Sequence, residues 1–282
     1  MRVLITGVTG FLGLSLASHL SSLGHEVRGT STGATDRSGG HGWGATFRHR
    51  LGQPVEDGMF AEADAVVHAA YDLSPGSWAT NVAGTIALAE AARSRGVTRQ
   101  IFISSYSAHS GAVTEYGRTK AELQAWFLSA GLTVVQPGLV IGRGGLYARI
   151  AEFVRTRRVV PVVSPGALVP VIALGDLNQS LAGLLERPVG GPVRLYLDER
   201  VTMRRLMEEI RRSVGSRAVL VPVPYLIARA AVAVLEAVRL PPPLGRDNLE
   251  GLRANQGRAE PGDLAAHVSS PKGLVEMIDA AR

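Results

Sequence analysis

The chain has 282 residues, 46% hydrophobic and 19% charged, a composition that fits a folded globular protein and excludes a disordered or low-complexity one. It contains no cysteine, which excludes disulfides, thiolate metal sites and cysteine nucleophiles and is in keeping with a reducing cytoplasm. The net charge is +6, but the arginines are scattered and not interleaved with aromatic residues, so no nucleic-acid-binding surface is indicated.

Strand and helix patterns alternate from the first residues. "RVLIT" reads as a strand, not as a charged leader with an apolar core. A Gly-rich turn leads into "FLGLSLASHLSSLG", a helix with Gly24 placed to close it. "HEVRGTS" is a second strand, residues 32–44 are a Gly/Ser/Thr-rich loop, and "ATFRHRL" and "ADAVVHAA" are the third and fourth strands. Asn81–Arg95 reads as a helix despite Gly84, "RQIFISS" as a fifth strand, Tyr116–Ala130 as a helix ended by Gly131, and "LTVVQP" as a sixth strand.

This succession predicts an α/β fold, a doubly wound, Rossmann-type parallel sheet with right-handed crossovers. Beyond Pro137 the pattern loosens. A helix in "GRGGLYARIAEFVRTRR", a strand entering a helix in "VPVIALGDLNQSLAGLLE", the strand "VRLYLD" and the amphipathic helix "TMRRLMEEIRRSVG" can be read. The expected division is a dinucleotide-binding domain of residues 1–137 and 169–197, and a smaller substrate lobe of 138–168 and 198–282. The apolar stretch "YLIARAAVAVLEAV" is too short to span a bilayer and carries Arg229 and Glu236; it reads as a buried or partner-facing helix, with membrane contact disfavoured.

"ITGVTGFLG" places Gly7, Gly10 and Gly13 between the first strand and its helix. Small residues there let the backbone turn tightly and approach a pyrophosphate. The helix N-terminus adds N–H donors and the positive end of its dipole. The position, after a strand and opening a helix, is the one such a motif requires.

Of 30 basic residues only Lys120 and Lys272 are lysine. Lys120 follows Tyr116 by four residues, so a helix puts both on one face. A free phenol titrates at about pH 10, too high for proton exchange at neutrality, and a close ammonium lowers that value. Arginine substitutes poorly where a compact charge must also reach a ribose hydroxyl. No His, Asp or Glu cluster has the spacing of metal ligands.

"TGVTGFLG", "VVHAA", "NVAGT", "FISS" and "YGRTK", in this order, resemble the extended or atypical short-chain dehydrogenase/reductases, the NAD-dependent epimerase/dehydratase family. The resemblance covers roughly residues 1–137. It implies Tyr116 as catalytic acid/base, Lys120 as the residue that binds the nicotinamide ribose and tunes Tyr116, and Ser105, with Ser107 as its rival, as the group that hydrogen-bonds the substrate. Asn81 would support Lys120 through a relay water, unless it is a plain helix N-cap. Cofactor contacts are expected from Gly7, Thr9, Gly10, Phe11, Leu12, Gly13, Ser31, Thr32, Arg37, His68, Ala69, Ala70, Ser104, Tyr116, Lys120 and Pro137, while His109 is read as a loop residue. The corresponding helices pair subunits in that family, which makes a homodimer the expected assembly.

The residue ending the second strand discriminates cofactors in this fold, and an acid there repels a 2′-phosphate. Ser31, Thr32 and Arg37 occupy that region without a placed carboxylate, which favours NADP(H) over NAD(H). Val169 and Gln136 stand where nucleotide-sugar enzymes usually carry arginine, and "SSYSAHS" lacks the acidic pair of dehydratases. The expected activity is hydride transfer between nicotinamide and a carbonyl or alcohol of a small substrate. A nucleotide-sugar epimerase or 4-keto-sugar reductase is the alternative, and a non-catalytic dinucleotide-binding scaffold a second one.

Overall fold

The computed structural model describes residues 1–33, 43–56, 58–237, 245–258 and 260–282. In chain order, β1 (Arg2–Thr6), α1 (Phe11–Ser22), β2 (Glu26–Ser31), β3 (Thr46–Arg48), β4 (Ala65–His68), α2 (Trp78–Ser94), β5 (Gln100–Ile103), α3 (Glu115–Ser129) and β6 (Thr133–Pro137) come first. They are followed by β7 (Leu139–Ile141), α4 (Gly145–Thr156), β8 (Val159–Val163), β9 (Val171–Ala173), α5 (Leu174–Glu186), β10 (Pro192–Leu195), α6 (Met203–Ser213) and β11 (Val219–Val223). Four helices end the chain: α7 (Tyr225–Ala237), α8 (Arg246–Ala254), α9 (Leu264–His267) and α10 (Leu274–Ala280).

Seven strands form one sheet in the order β10-β6-β5-β4-β1-β2-β3. The pairs β1–β2, β1–β4, β2–β3, β4–β5 and β5–β6 are parallel. Because the chain steps outward from β1 in both directions, the order reverses between β1 and β4, and the fold is the doubly wound Rossmann type. Strands covered on both faces need apolar residues at every position. Accordingly Ala65, Val66 and Val67 of β4 and Ile101, Phe102 and Ile103 of β5 are all buried.

The chain divides into two compact units. The first comprises residues 1–108, 119–136 and 178–193. One of its hydrophobic clusters joins Leu4, Met59, Phe60, Val66 and Leu88; another joins Val82, Phe102, Leu123, Phe127 and Val134. Phe102 and Phe127 stack with ring centroids 4.7 Å apart. Gly84, an unfavourable residue mid-helix, is explained by packing: a Cβ there would collide with the backbone N of Gly52.

The second unit comprises residues 109–118, 137–177 and 194–282. It contains two short parallel pairs, β7–β9 and β8–β11, and a cluster built on Tyr147, Val154, Val160, Leu206, Ile210 and Ile278. β7, β8 and β11 have no counterpart in the sequence reading, since each owes its pairing to a partner more than 30 residues away in the chain. The helix read at Asn81–Arg95 begins three residues earlier, at Trp78. The apolar stretch from Tyr225 forms α7 but is not a core helix: Leu226 and Ile227 are 69% and 60% exposed, while Ala228 and Val232 are buried. Among the described residues no helix is long and apolar enough to cross a membrane.

The stacked phenylalanines join α3 to the sheet beneath it. Phe127→Ala should lower unfolding free energy by about 3–5 kcal/mol, read from the urea midpoint, with a fold otherwise unchanged by circular dichroism.

Candidate active site

The carboxyl ends of β1 and β4, where strand order reverses, are the ligand crevice of an open α/β sheet. Thr6 closes β1, and its Oγ1 accepts hydrogen bonds from the N–H groups of Ala69 and Ala70, both 3.1 Å, which fixes the end of β4 beside it. Gly7 follows with φ +71°, and a Cβ on it would lie 2.9 Å from Ala70 Cα. At Gly13 a Cβ would collide with the Gly7 carbonyl, so α1 sits directly against the turn.

Gly10 caps α1 in extended conformation, is exposed, and provides no side-chain cap. The N–H groups of Phe11, Leu12 and Gly13 open the helix, where no intrahelical acceptor exists. This cradle fits a dinucleotide pyrophosphate, because it combines a turn without side chains at Gly7, Gly10 and Gly13 with a 12-residue helix aimed N-terminus first.

On the other side of the turn, Gly7 N–H donates to Thr30 Oγ1 at 3.2 Å, and the Thr9 and Ser31 hydroxyls share a hydrogen bond at 3.0 Å. Gly33 N–H donates to Ser31 Oγ at 3.2 Å. Ser31 is buried and Thr32 exposed; Arg37, also expected here, lies outside the described residues.

His68 ends β4 inside the core. Its Nε2 pairs with Gln100 Oε1 at 2.8 Å, its ring meets Phe127 edge-on, and burial pulls its pKa down to about 4. The imidazole is therefore neutral and committed to the core, and any cofactor contact at this position falls to the backbone beyond it.

Lys120 is 4% exposed. Its Nζ donates to the Ile103 carbonyl at 2.7 Å and lies 4.9 Å from the ring centroid of Tyr71 and 4.8 Å from that of Phe102. Burial lowers its pKa from the ordinary 10.5 to about 7. Tyr116, half-buried, stands one turn earlier on α3.

Ser104 is buried and donates to Gln124 Oε1 at 2.9 Å. The same oxygen accepts from Gln136 Nε2 at 3.0 Å, and Gln136 also donates to the Ala108 carbonyl at 3.3 Å. Within the turn so held, Ser105 Oγ accepts the Ser107 N–H at 3.2 Å and Ser105 O the Ala108 N–H at 3.0 Å. An oxygen held by an N–H keeps its own proton for an outside acceptor.

Asn81 is wholly buried. Its Oδ1 accepts from Asp72 N–H at 2.8 Å, and its Nδ2 donates to Asp72 O and Ser77 Oγ at 2.9 and 3.0 Å. The plain N-cap reading of Asn81 is thereby corrected: Ser77 occupies the N-cap, and Asn81 clamps the segment that follows Tyr71. Tyr71 and Gln124 escaped the sequence reading. The available signals were the position of Tyr71 directly after "VVHAA" and the i,i+4,i+8 stripe of Tyr116, Lys120 and Gln124 on one helix.

In the second unit, Pro137 ends β6, and Gly138 after it packs so tightly that a Cβ would strike the Pro170 carbonyl oxygen. His109, in the loop before α3, pairs through Nε2 with Asn255 Oδ1 at 3.1 Å, and its Nδ1 accepts the Gly111 N–H at 3.1 Å. Among the described residues no group of three or more His, Asp or Glu could hold a metal ion.

The Lys120 shift has a defined consequence for stability. Between about pH 7 and 10.5 the unfolded chain holds a proton that the folded chain has released, so this residue adds stability as pH rises through that window. The unfolding free energy of wild type minus that of Lys120→Met should therefore increase from pH 7 to pH 10 in urea titrations. A pH-independent difference would mean that the ammonium is not desolvated.

Residues 3–125 match the family model described as NAD dependent epimerase/dehydratase family. No curated protein matches the chain. Among solved structures, gox2253 shares the fold with a TM-score of 0.80 at 18% identity, over 99% of this chain and 96% of that one. TunA, an NAD dependent NDP-hexosamine 5,6-dehydratase involved in tunicamycin biosynthesis, aligns with a TM-score of 0.73 at 19% identity, over 99% and 96% of the two chains. The human epimerase family protein SDR39U1, solved with NADPH, gives 0.71 at 20% identity, over 100% and 97%.

Proposed function

We propose that this chain, whose residues 3–125 match the model of the NAD dependent epimerase/dehydratase family, is a member of that family and an NAD(P)-dependent oxidoreductase that interconverts a carbonyl and an alcohol on a small substrate. The observation that carries this reading is Lys120. A buried ammonium costs stability, and a chain with only one other lysine among its 30 basic residues keeps one against the carboxyl end of β5, one turn after Tyr116. With its pKa near 7, this group is poised to exchange its charge at neutrality.

Gly7, Gly10 and Gly13, with the N–H groups opening α1, would hold the pyrophosphate, and Lys120 the nicotinamide ribose. The bound nicotinamide would supply or accept the hydride. In reduction Ser105 donates a hydrogen bond to the carbonyl oxygen and Tyr116 delivers the proton to it; in oxidation the tyrosine oxygen takes that proton back. Protonated Lys120 favours the phenolate form of Tyr116, easing both directions. The absence of a carboxylate at Thr30–Gly33 supports NADP(H) as the preferred cofactor. Residues 1–137 and 169–197 are assigned to cofactor and the remainder to substrate, a division by sequence pattern that differs from the compact units at 109–118, 137, 169–177 and 194–197.

A nucleotide-sugar substrate would call for arginines able to grip a diphosphate. Of those in and after α4, Arg155 is held by Glu152 through two hydrogen bonds, and the Arg157 guanidinium lies 5.7 Å from the Phe153 ring centroid. Gln136, at a position where such enzymes carry arginine, is buried in the network that holds Ala108. With two of the five arginines between 143 and 158 engaged in this way, and Arg143, Arg149 and Arg158 left as the groups a diphosphate would need, the occupation of Gln136 supports the small-substrate reading.

Replacing Tyr116 by Phe should cut turnover by about 100-fold or more while leaving the NADPH dissociation constant within twofold, since only the proton route is lost. Equal turnover in both proteins would exclude the tyrosine as acid/base. Ala83 and Ala87 on α2 and Ala125 on α3 are exposed small residues that permit close helix packing, which supports a homodimer. Light scattering at micromolar concentration should return twice the 29.8 kDa chain mass; the monomer mass would refute the pairing.

A further inference from the structure

The register of β2 and β3 adds a residue to the cofactor region that the linear sequence hides. Ser31, the last residue of β2, pairs directly with Arg48, the last residue of β3. Partners in a parallel pair project to the same side of the sheet, on strands about 4.8 Å apart. The pairing is anchored beyond its end, because His49 N–H donates to the Ser31 carbonyl at 2.9 Å, so the Arg48 backbone is fixed. Arg48 itself is exposed and makes no hydrogen bond or ion pair among the described residues.

Among the described residues, Thr30 to Gly33 include no carboxylate, and the acid of β2, Glu26, lies at the opposite end, 2.8 Å from Arg28. Glu56 acts on His49, the next residue along the chain. Arg50, two residues further on, already has an acidic neighbour: Asp72, whose carboxyl is held below its usual range by Ser74 hydrogen bonds and, to a smaller degree, by Arg50. Ser31 and Thr9 hold their hydroxyls together at the edge of the glycine turn, where the adenosine ribose of a dinucleotide belongs in this fold.

We infer that Arg48 is the specificity-determining residue for the cofactor, its guanidinium binding the 2′-phosphate of NADP(H) beside the Ser31 and Thr9 hydroxyls. The inference rests on the dinucleotide-binding reading above and goes beyond it by assigning the discrimination to the neighbouring strand. A planar guanidinium with paired N–H donors matches a phosphate and supplies the charge that the two hydroxyls lack. The ribose of NAD(H) ends in a hydroxyl at this place and gains little from it.

The test is calorimetric titration of the purified full chain, as wild type, Arg48→Gln and Arg48→Lys, with NADPH and with NADH, alongside thermal melts. Wild type should prefer NADPH. Arg48→Gln should lose about tenfold to hundredfold in NADPH affinity, collapsing the NADPH-to-NADH ratio at an unchanged melting temperature. Arg48→Lys, which keeps the charge but not the fork, should fall between them and gives the reading if the glutamine variant is unstable. An NADPH preference that survives both substitutions overturns the assignment of Arg48 alone. A wild-type preference for NADH overturns it while leaving the dinucleotide reading standing. Binding of neither dinucleotide to wild type removes the dinucleotide reading and the inference together.

Discussion

The structure of the first unit depends on one close approach, that of the chain leaving β1 to the chain leaving β4. Thr6 binds both N–H groups after His68, and Gly7 then passes so near Ala70 that no side chain fits between them. Gly13 and Gly29 extend the same constraint. A Cβ on the first would strike the Gly7 carbonyl, and one on the second the side chain of Val8, which fills the space beneath the turn. With three neighbours pressed onto it, the turn has one path, and that path aims the open end of α1 into the crevice.

A second constraint works against stability. The Lys120 ammonium is removed from water, with the Ile103 carbonyl and the faces of Tyr71 and Phe102 around it, and its basicity falls toward neutrality. Each of these groups is held in turn. Asn81 clamps the segment after Tyr71, His68 and Phe127 pack the core around Phe102, and Gln124 and Gln136 hold the Ser104–Ala108 turn. Polar networks of this kind tolerate no missing member, because each donor left behind remains buried. The arrangement gives up folding free energy to hold a lysine out of water, the cost that the proposed proton transfer would explain.

Much of the fold was readable because parallel strands buried on both faces are written as unbroken apolar runs, and because Gly24 and Gly131 end their helices at φ +82° and +72°. Tyr116 and Lys120 were readable for the same kind of reason, since a spacing of four is already a geometry on a helix. The β7–β9 and β8–β11 pairs were not, because a strand of three to five residues gains its identity from a partner distant in the chain. The exposure of α7 was also hidden: an apolar helix advertises its composition but not what covers it.

The sequence by itself determined the Rossmann-type sheet, the glycine turn and the tyrosine–lysine pair, all of which rest on local spacing and backbone preference. Tertiary structure alone decided that Asn81 serves the segment after Tyr71, that His68 is spent on Gln100, that Gln124 and Gln136 brace the serine turn, and that Arg48 stands beside Ser31. These depend on which strand lies next to which, and on depth below the surface. Neither quantity is a property of neighbouring residues along the chain.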